Sequence, residues 1–393
     1  MSSAHLSPVI TGWAHSAFGK APEPDVETLL AGVTTRALEH AEVEAADVDG
    51  IFVGVFNGGF SQQGFDAGLV GAGQPSLGQV PAVHLENACA TGSAALYAAL
   101  DFVQSGRGRV ALVAGAEKMS ASSPEVVNNA LLHASYRAEE EDAGSFAAIF
   151  GQLTEQYFER YGDHADTLAR IAAKNHANGI HNPYAHLRKD FGFEFCNTVS
   201  DKNPLVAGPL RRTDCSLVSD GAAALVITAA DLVTSVPRAV GFRGRAQAND
   251  HLPLSRRQDV LELAGAKRAF TQAMAEAGTT LADLSLLETH DCFTVAELLE
   301  YEAFGLAEPG KGATAIESGR TARDGDLPVN PSGGLKSKGH PIGATGVSQH
   351  IMAAMQLTEE AGDMQIADTE VAGVFNMGGV AVANYFSVLE RRA

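Results

Sequence analysis

The chain has 393 residues, more than one ordinary domain of about 150, so two fused halves or one large α/β unit are the first readings. Hydrophobic residues make up 45% and charged residues 19%, enough for a large core and unlike a disordered chain. The 28 Lys plus Arg stand against 47 Asp plus Glu, a formal charge of -19 that repels phosphate backbones and anionic lipid, which leaves a small anion at a local basic patch as the only anionic partner expected.

In chain order, Val9 to Gly12 reads as a short buried strand and Val26 to Glu39 as a helix entered through acidic and proline residues. Asp49 to Phe56 is a strand, Ala82 to Asn87 another, Thr91 to Gln104 a helix, and Val110 to Ala114 a third strand, the rhythm of a buried sheet under helical cover. Lys118 to Asp214 breaks that rhythm and is predicted to be an insertion with helices at Ala147 to Arg160 and Asp166 to Asn178. Strands resume at Gly221 to Thr228 and Ala239 to Arg245, followed by a helix at Leu261 to Ala277. A second series follows: strand Leu284 to Thr289, helix Val295 to Phe304, helix Thr345 to Leu357, and two strands within Glu370 to Leu389. Apolar runs such as Gly221 to Ala230 are too short for a bilayer span of about 20 residues. The first residues lack a basic segment followed by an apolar one, and the last four, Glu-Arg-Arg-Ala, are not a peroxisomal address, so a cytoplasmic location and no membrane partner are expected.

An internal repeat lies beneath this order. CATGSAALYAALDFV from Cys89 is matched by GATGVSQHIMAAMQL from Gly343, Asp49 to Phe56 by Leu284 to Phe293, and Val110 to Glu117 by Val371 to Gly378. Three elements repeated in one order predict pseudo-symmetric α/β halves, divided at residues 1–245 and 246–393, with the insertion at about 118–214 in the first.

Four segments carry candidate chemistry. Cys89 stands where a strand gives way to a helix opened by small residues, a position that favours a thiolate through the helix N-terminus; a small packed residue at a tight turn is the plain alternative. Asn330 to Gly346, NPSGGLKSKGHPIGATG, is a glycine-rich shaped loop around His340. Thr289 to Glu297 sets His290 and Cys292 two residues apart at a strand end, for acid/base work or merely as a core pair. Asn376-Met377-Gly378-Gly379 between two apolar strands is, alone, a tight turn. The four cysteines, Cys89, Cys196, Cys215 and Cys292, show no CxxC spacing, and His176, His181 and His186 lack a supporting ligand pattern, so neither a disulfide framework nor a metal site is predicted.

In this order the four segments resemble the catalytic loops of the thiolase superfamily, and the resemblance spans nearly the whole chain. GHPIGATG, Gly339 to Gly346, is its most specific motif, and Cys89 stands where the family keeps its acyl-accepting cysteine. His290 to Phe293 (HDCF) and Asn376 to Gly378 depart from the common Asn-Glu-Ala-Phe and Cys-x-Gly loops and resemble the sterol-carrier-protein-type thiolases. The resemblance implies a thiolase fold of five layers, α-β-α-β-α, and a thiolytic or Claisen reaction on 3-oxoacyl-CoA. It gives Cys89 as nucleophile, His340 as its base, His290 as hydrogen-bond donor, Cys292 as second acid/base, and the N–H groups of Cys89 and Gly378 as an oxyanion hole. Coenzyme A is then a substrate with no permanently bound cofactor, and Arg188, Lys189, Lys202, Arg211 and Arg212 are the basic candidates for it, with Phe293 placed along the pantetheine channel or in the core. A homodimer or homotetramer is implied as well. Competing readings are a thiolase-like acyltransferase or retro-aldolase with an OB-fold partner subunit, and a non-catalytic scaffold.

Overall fold

The computed structural model describes residues 7–233 and 238–392. Its strands are β1 (Pro8–His15), β2 (Gly50–Gly54), β3 (Ala82–Leu85), β4 (Val110–Glu117), β5 (Leu205–Ala207), β6 (Leu210–Arg211), β7 (Gly221–Ala229), β8 (Val240–Asn249), β9 (Leu286–Glu288), β10 (Val371–Gly378) and β11 (Ala383–Arg391). Apart from the β5–β6 hairpin they form one 9-stranded sheet in the order β3-β2-β4-β7-β1-β8-β11-β10-β9. Outward from the middle the two halves repeat each other. In the first, β1, β7 and β4 are antiparallel and β2 and β3 continue in parallel; in the second, β8, β11 and β10 are antiparallel and β9 continues in parallel. The place of β3 is taken in the second half by a single parallel bridge between Leu287 and Val329. Among the described residues, the strands of the two halves pair with each other where Val9 faces Gly241 and Ile10 faces Val240. Strand β8 crosses the divide predicted between residues 245 and 246, and its long pairing is with β11.

Side-chain alternation builds the layers. On β4, Val110, Leu112, Ala114 and Ala116 pack outward under the helices Val26–Ala41 and Asp66–Gly73, while Ala111 and Val113 face inward. The inward cluster contains the helices Thr91–Gln104 and Ile342–Leu357 and receives Ala372 and Val374 of β10 from the other side. Phe375 of β10 and Phe386 and Val388 of β11 point the opposite way, against the helices Ala264–Ala277 and Thr294–Ala303. The order is helix, sheet, helix, sheet, helix, with the two repeated helices in the central layer. Both are buried on nearly every side, and a fully buried Leu or Ile in that layer contributes roughly 1.5–3 kcal/mol.

Glycine sets how close the central layer can come. A Cβ on Gly343 would lie 2.5 Å from the Gly54 carbonyl oxygen and on top of that of Ala116, so the start of the second central helix rests on β2 and β4 of the opposite half. A Cβ on Gly92 would lie 2.8 Å from the Gly343 carbonyl oxygen and 3.0 Å from the Gly346 nitrogen. Glu117, at the end of β4, secures this contact, its carboxylate accepting from the N–H groups of Gly343 at 3.0 Å and Phe56 at 2.9 Å through one oxygen and Asn57 at 3.0 Å through the other.

The insertion supplies the helices Pro124–Leu132, Phe146–Tyr161 and Ala165–Gly179 and the β5–β6 hairpin. No helix among the described residues is long and apolar enough to cross a membrane.

Two glycines inside helices separate intrinsic propensity from contact. Gly32 is exposed on the helix Val26–Ala41, and a Cβ there would meet nothing within 4 Å, so Gly32→Ala gains stability by about 0.5–1 kcal/mol. Gly343→Ala, also in a helix, loses several kcal/mol by forcing β2 and β4 away. Urea midpoints of the two variants check this; a rise in both would remove the contact argument.

Candidate active site

Each functional side chain stands at a loop on the inner face of the two halves. Cys89 follows Ala88, whose φ of 48° is unusual for a residue with a side chain, and the turn is held by Asn87 N–H donating to Thr91 Oγ1 at 2.8 Å. His340 precedes the second central helix, and Thr345, the repeat counterpart of Thr91, holds it: the Thr345 hydroxyl donates to the Pro341 carbonyl at 2.9 Å and its oxygen faces His340 Nδ1 at 2.6 Å. With that hydroxyl hydrogen committed, Nδ1 is the donor and Nε2 carries the lone pair. The backbone at His290 is fixed by Glu300, which accepts from its N–H at 3.2 Å, and by Asn330 Oδ1, which accepts from the N–H of Thr289 at 2.8 Å. Asp291 turns away, accepting from Leu335 N–H at 2.6 Å and Asn175 Nδ2 at 2.7 Å, and so ties the HDCF loop to the glycine-rich loop.

These loops bring Cys89 Sγ and a ring nitrogen each of His290 and His340 within 4.8 Å of one another. The two imidazoles meet edge to face with centroids 5.1 Å apart. Among the described residues, Nε2 of both histidines is buried and without a hydrogen-bond partner. Cys292 is buried beside this set but outside the 4.8 Å group; burial, and next the Cys89 charge, raise its thiol well above the ordinary range.

Two further groups complete the site, both from the Asn376–Gly379 segment, to whose Asn376 side chain and Gly379 N–H the sequence reading assigns no role. Asn376 Oδ1 accepts from Ser93 Oγ at 2.8 Å, and its amide nitrogen lies 3.1 Å from the Cys89 carbonyl oxygen and 2.9 Å from His290 Nδ1. The Gly379 backbone N–H lies on the Cys89 side of the site, where it favours the charged form of the thiol. Gly378 itself approaches so closely that a Cβ would fall on the Asn87 carbonyl oxygen. The outer wall of Cys89 is apolar, made by Phe56, Met119 and Ile342 with Phe60 and Leu131 against them.

Electrostatics correct one expectation. The helix N-terminus does not give Cys89 a low pKa: burial, against the Gly379 hydrogen bond and reinforced by Glu86 and Glu117, pushes the thiol up to about 12. Burial, with the Lys338 charge, lowers His340 to about 3, and burial followed by the charges of His340 and Lys338 lowers His290 well below its usual value. The resting site is a neutral thiol facing two neutral imidazoles, in a region where any charge is costly.

Two assignments to coenzyme A also change. Arg211 is only 3% exposed, with its guanidinium on Asp214 at 2.8 Å, Asn197 Oδ1 at 2.8 Å and the Ala165 carbonyl oxygen at 2.7 Å, so its charge is buried and engaged within the protein rather than turned toward a ligand. Phe293 stacks on Phe150 with centroids 4.4 Å apart, a core role. Arg188, Lys189, Lys202 and Arg212 are exposed.

Comparison with known proteins gives the family. Residues 9–193 match the family model described as thiolase, N-terminal domain, and residues 246–391 the one described as thiolase C-terminal domain-like. The chain belongs to the thiolase family. It is 34% identical over 377 residues to an acetyl-CoA acetyltransferase of Methanothermobacter thermautotrophicus, covering 94% of this chain and 96% of the relative. It is 33% identical over 322 residues to sterol carrier protein 2 of Homo sapiens, covering 77% of this chain and 58% of that protein. The solved Ltp2-ChsH2(DUF35) aldolase shares the fold with a TM-score of 0.81 at 19% identity, over 98% of each chain.

Alkylation reads the thiol directly. Iodoacetamide reacts with thiolate, so with a pKa of about 12 the labelling rate at Cys89 climbs about tenfold per pH unit between about pH 7 and 9. Peptide mass spectrometry follows the rate, and a pH-independent rate over that interval would show a preformed thiolate instead.

Proposed function

We propose that the protein is a thiolase-type acyltransferase that cleaves a 3-oxoacyl-CoA with coenzyme A, or runs the same steps backwards as a Claisen condensation. The observation that carries this reading is the convergence of Cys89, His290 and His340 from three separate loops within 4.8 Å. A neutral buried thiol is inert until a base takes its proton, and the bare Nε2 of His340 is that base. As the proton moves, Cys89 sulfur bonds to the 3-keto carbon. The carbon–carbon bond then breaks and its electron pair passes to the acetyl-CoA enolate. His290, with the now protonated His340, donates to the enolate oxygen, and Cys292 protonates the enolate carbon to release acetyl-CoA.

In the second half Cys292 takes the proton of an incoming coenzyme A thiol, whose sulfur displaces Cys89 from the acyl group. The N–H groups of Cys89 and Gly378 receive the thioester oxygen in that step. The apolar wall of Phe56, Met119 and Ile342 receives the acyl chain, and Arg212 with Arg188, Lys189 and Lys202 offers charge to the phosphates of coenzyme A. No resident cofactor enters any step. The reading includes a homodimer or homotetramer through the free edge strand β3, where Val83 is half exposed.

The test is thiolysis of acetoacetyl-CoA by the purified chain with no partner protein. Cys89→Ala reduces it to background, whereas His290→Ala leaves a residual rate lower by a factor of about 10² to 10³, the usual loss of one oxyanion donor. Undiminished thiolysis by Cys89→Ala would overturn the reading. Activity only after a second subunit is added would transfer it to an acyltransferase or aldolase with a partner.

A further inference from the structure

The three-loop cluster also has the makings of a metal site: a thiol and two imidazoles, each offering a ligand atom within 4.8 Å of the others, with both Nε2 atoms buried and unpartnered. Three such ligands with one open position are what zinc takes in catalytic sites. Both imidazoles would have to present lone pairs. His340 does so already, because Thr345 holds its proton on Nδ1.

His290 is different, and the reason is Asn376. The Cys89 carbonyl oxygen is only an acceptor, so the Asn376 atom 3.1 Å from it is the amide nitrogen and not the oxygen. Ser93 Oγ, 2.8 Å from the other amide atom, donates to the oxygen and agrees with that orientation. An amide nitrogen carries two hydrogens; one goes to Cys89, and the second points at His290 Nδ1, 2.9 Å away. A ring nitrogen that accepts a hydrogen bond holds no proton, which leaves the proton of a neutral His290 on Nε2. Turning the amide over would set its oxygen against the Cys89 carbonyl oxygen and remove that acceptor's donor. Gly346 keeps the arrangement compact, since a Cβ there would stand 2.5 Å from Asn376 Oδ1.

We propose that Asn376 is a positioning residue that fixes the proton of His290 on Nε2, making it a donor beside the Cys89 sulfur and denying the Cys89–His290–His340 cluster to divalent metal. Two hydrogen bonds, Thr345 with His340 and Asn376 with His290, thus set opposite tautomers on two imidazoles that share one sulfur, an acceptor on His340 and a donor on His290. A metal would require the His290 proton on Nδ1, where it would meet an amide N–H head-on. The tautomer and metal statements stand on geometry alone; only the catalytic benefit of the donor rests on the function proposed above.

Nitrogen-15 spectra of the full chain labelled at histidine, assigned with His290→Gln and His340→Gln, report the tautomers without substrate. The expected result is an unprotonated Nδ1 on His290 and an unprotonated Nε2 on His340; a protonated Nδ1 on His290 overturns the proposal. Cobalt(II) chloride supplies the second readout. Wild type develops no thiolate-to-cobalt absorption, whereas Asn376→Asp, whose carboxylate accepts from a protonated Nδ1, binds one cobalt at least about tenfold more tightly and loses the band on adding Cys89→Ala. Equal cobalt affinity in wild type and Asn376→Asp contradicts the proposal. In thiolysis, Asn376→Asp lowers kcat by about 10²-fold or more with KM nearly unchanged, and Ser93→Ala, which removes only the outer support, lowers it about tenfold or less. Should Asn376→Asp fail to fold, the wild-type spectrum still decides. Correct tautomers in a chain without thiolysis would defeat the proposed function and leave this inference intact.

Discussion

The site depends on how closely the two central helices can begin to each other. Gly92 and Gly346 meet where neither has room for a side chain, and Gly343 is pressed on the carbonyl oxygens of Gly54 and Ala116. That contact sets Cys89, at the head of one helix, across from His340, at the head of the other. Glu117 closes it by accepting from backbone N–H groups of both halves. Were the helices held apart by even one methyl group, His340 and Cys89 would part company while each half kept its own fold.

Close packing has an electrostatic consequence. The thiol and both imidazoles are buried, so the charged forms of all three are disfavoured even though Cys89 stands beside a helix N-terminus. On the proposed mechanism the nucleophile is therefore generated by proton transfer to a base already in place, during attack. A buried neutral pair of this kind is protected from adventitious alkylation and oxidation, which act on thiolates. Supporting groups are correspondingly elaborate: Thr345 for His340, Glu300 and Asn330 for the loop carrying His290, and Asp291 between that loop and the next.

Much of this is legible in the sequence. The first central helix runs over Thr91–Gln104, the predicted span, because its small and apolar residues leave no competing pattern. The strand predicted over Leu284 to Thr289 is shorter in the structure; only Leu286–Glu288 pairs, since Thr289 and His290 turn their N–H groups to Asn330 and Glu300, which are distant in sequence or a helical turn or more away. Arg211 looks like surface charge in the sequence, although Asp214 three residues on already offers it a partner. The state of the Cys89 thiol is hidden from the sequence because the turn is local whereas its burial comes from the other half. Asn376 leaves a faint signal: it follows Ala372 and Val374 in steps of two, which places it on the inward face of β10.

The central claim is that Cys89 receives an acyl group from a coenzyme A thioester with His340 as its base. Brief incubation with acetyl-CoA, acid quench, and peptide mass spectrometry measures this directly. The account predicts one acetyl group on Cys89, greatly reduced in His340→Ala and absent from Cys196, Cys215 and Cys292 at early times. An unmodified Cys89, or acetylation that proceeds equally well without His340, would contradict it.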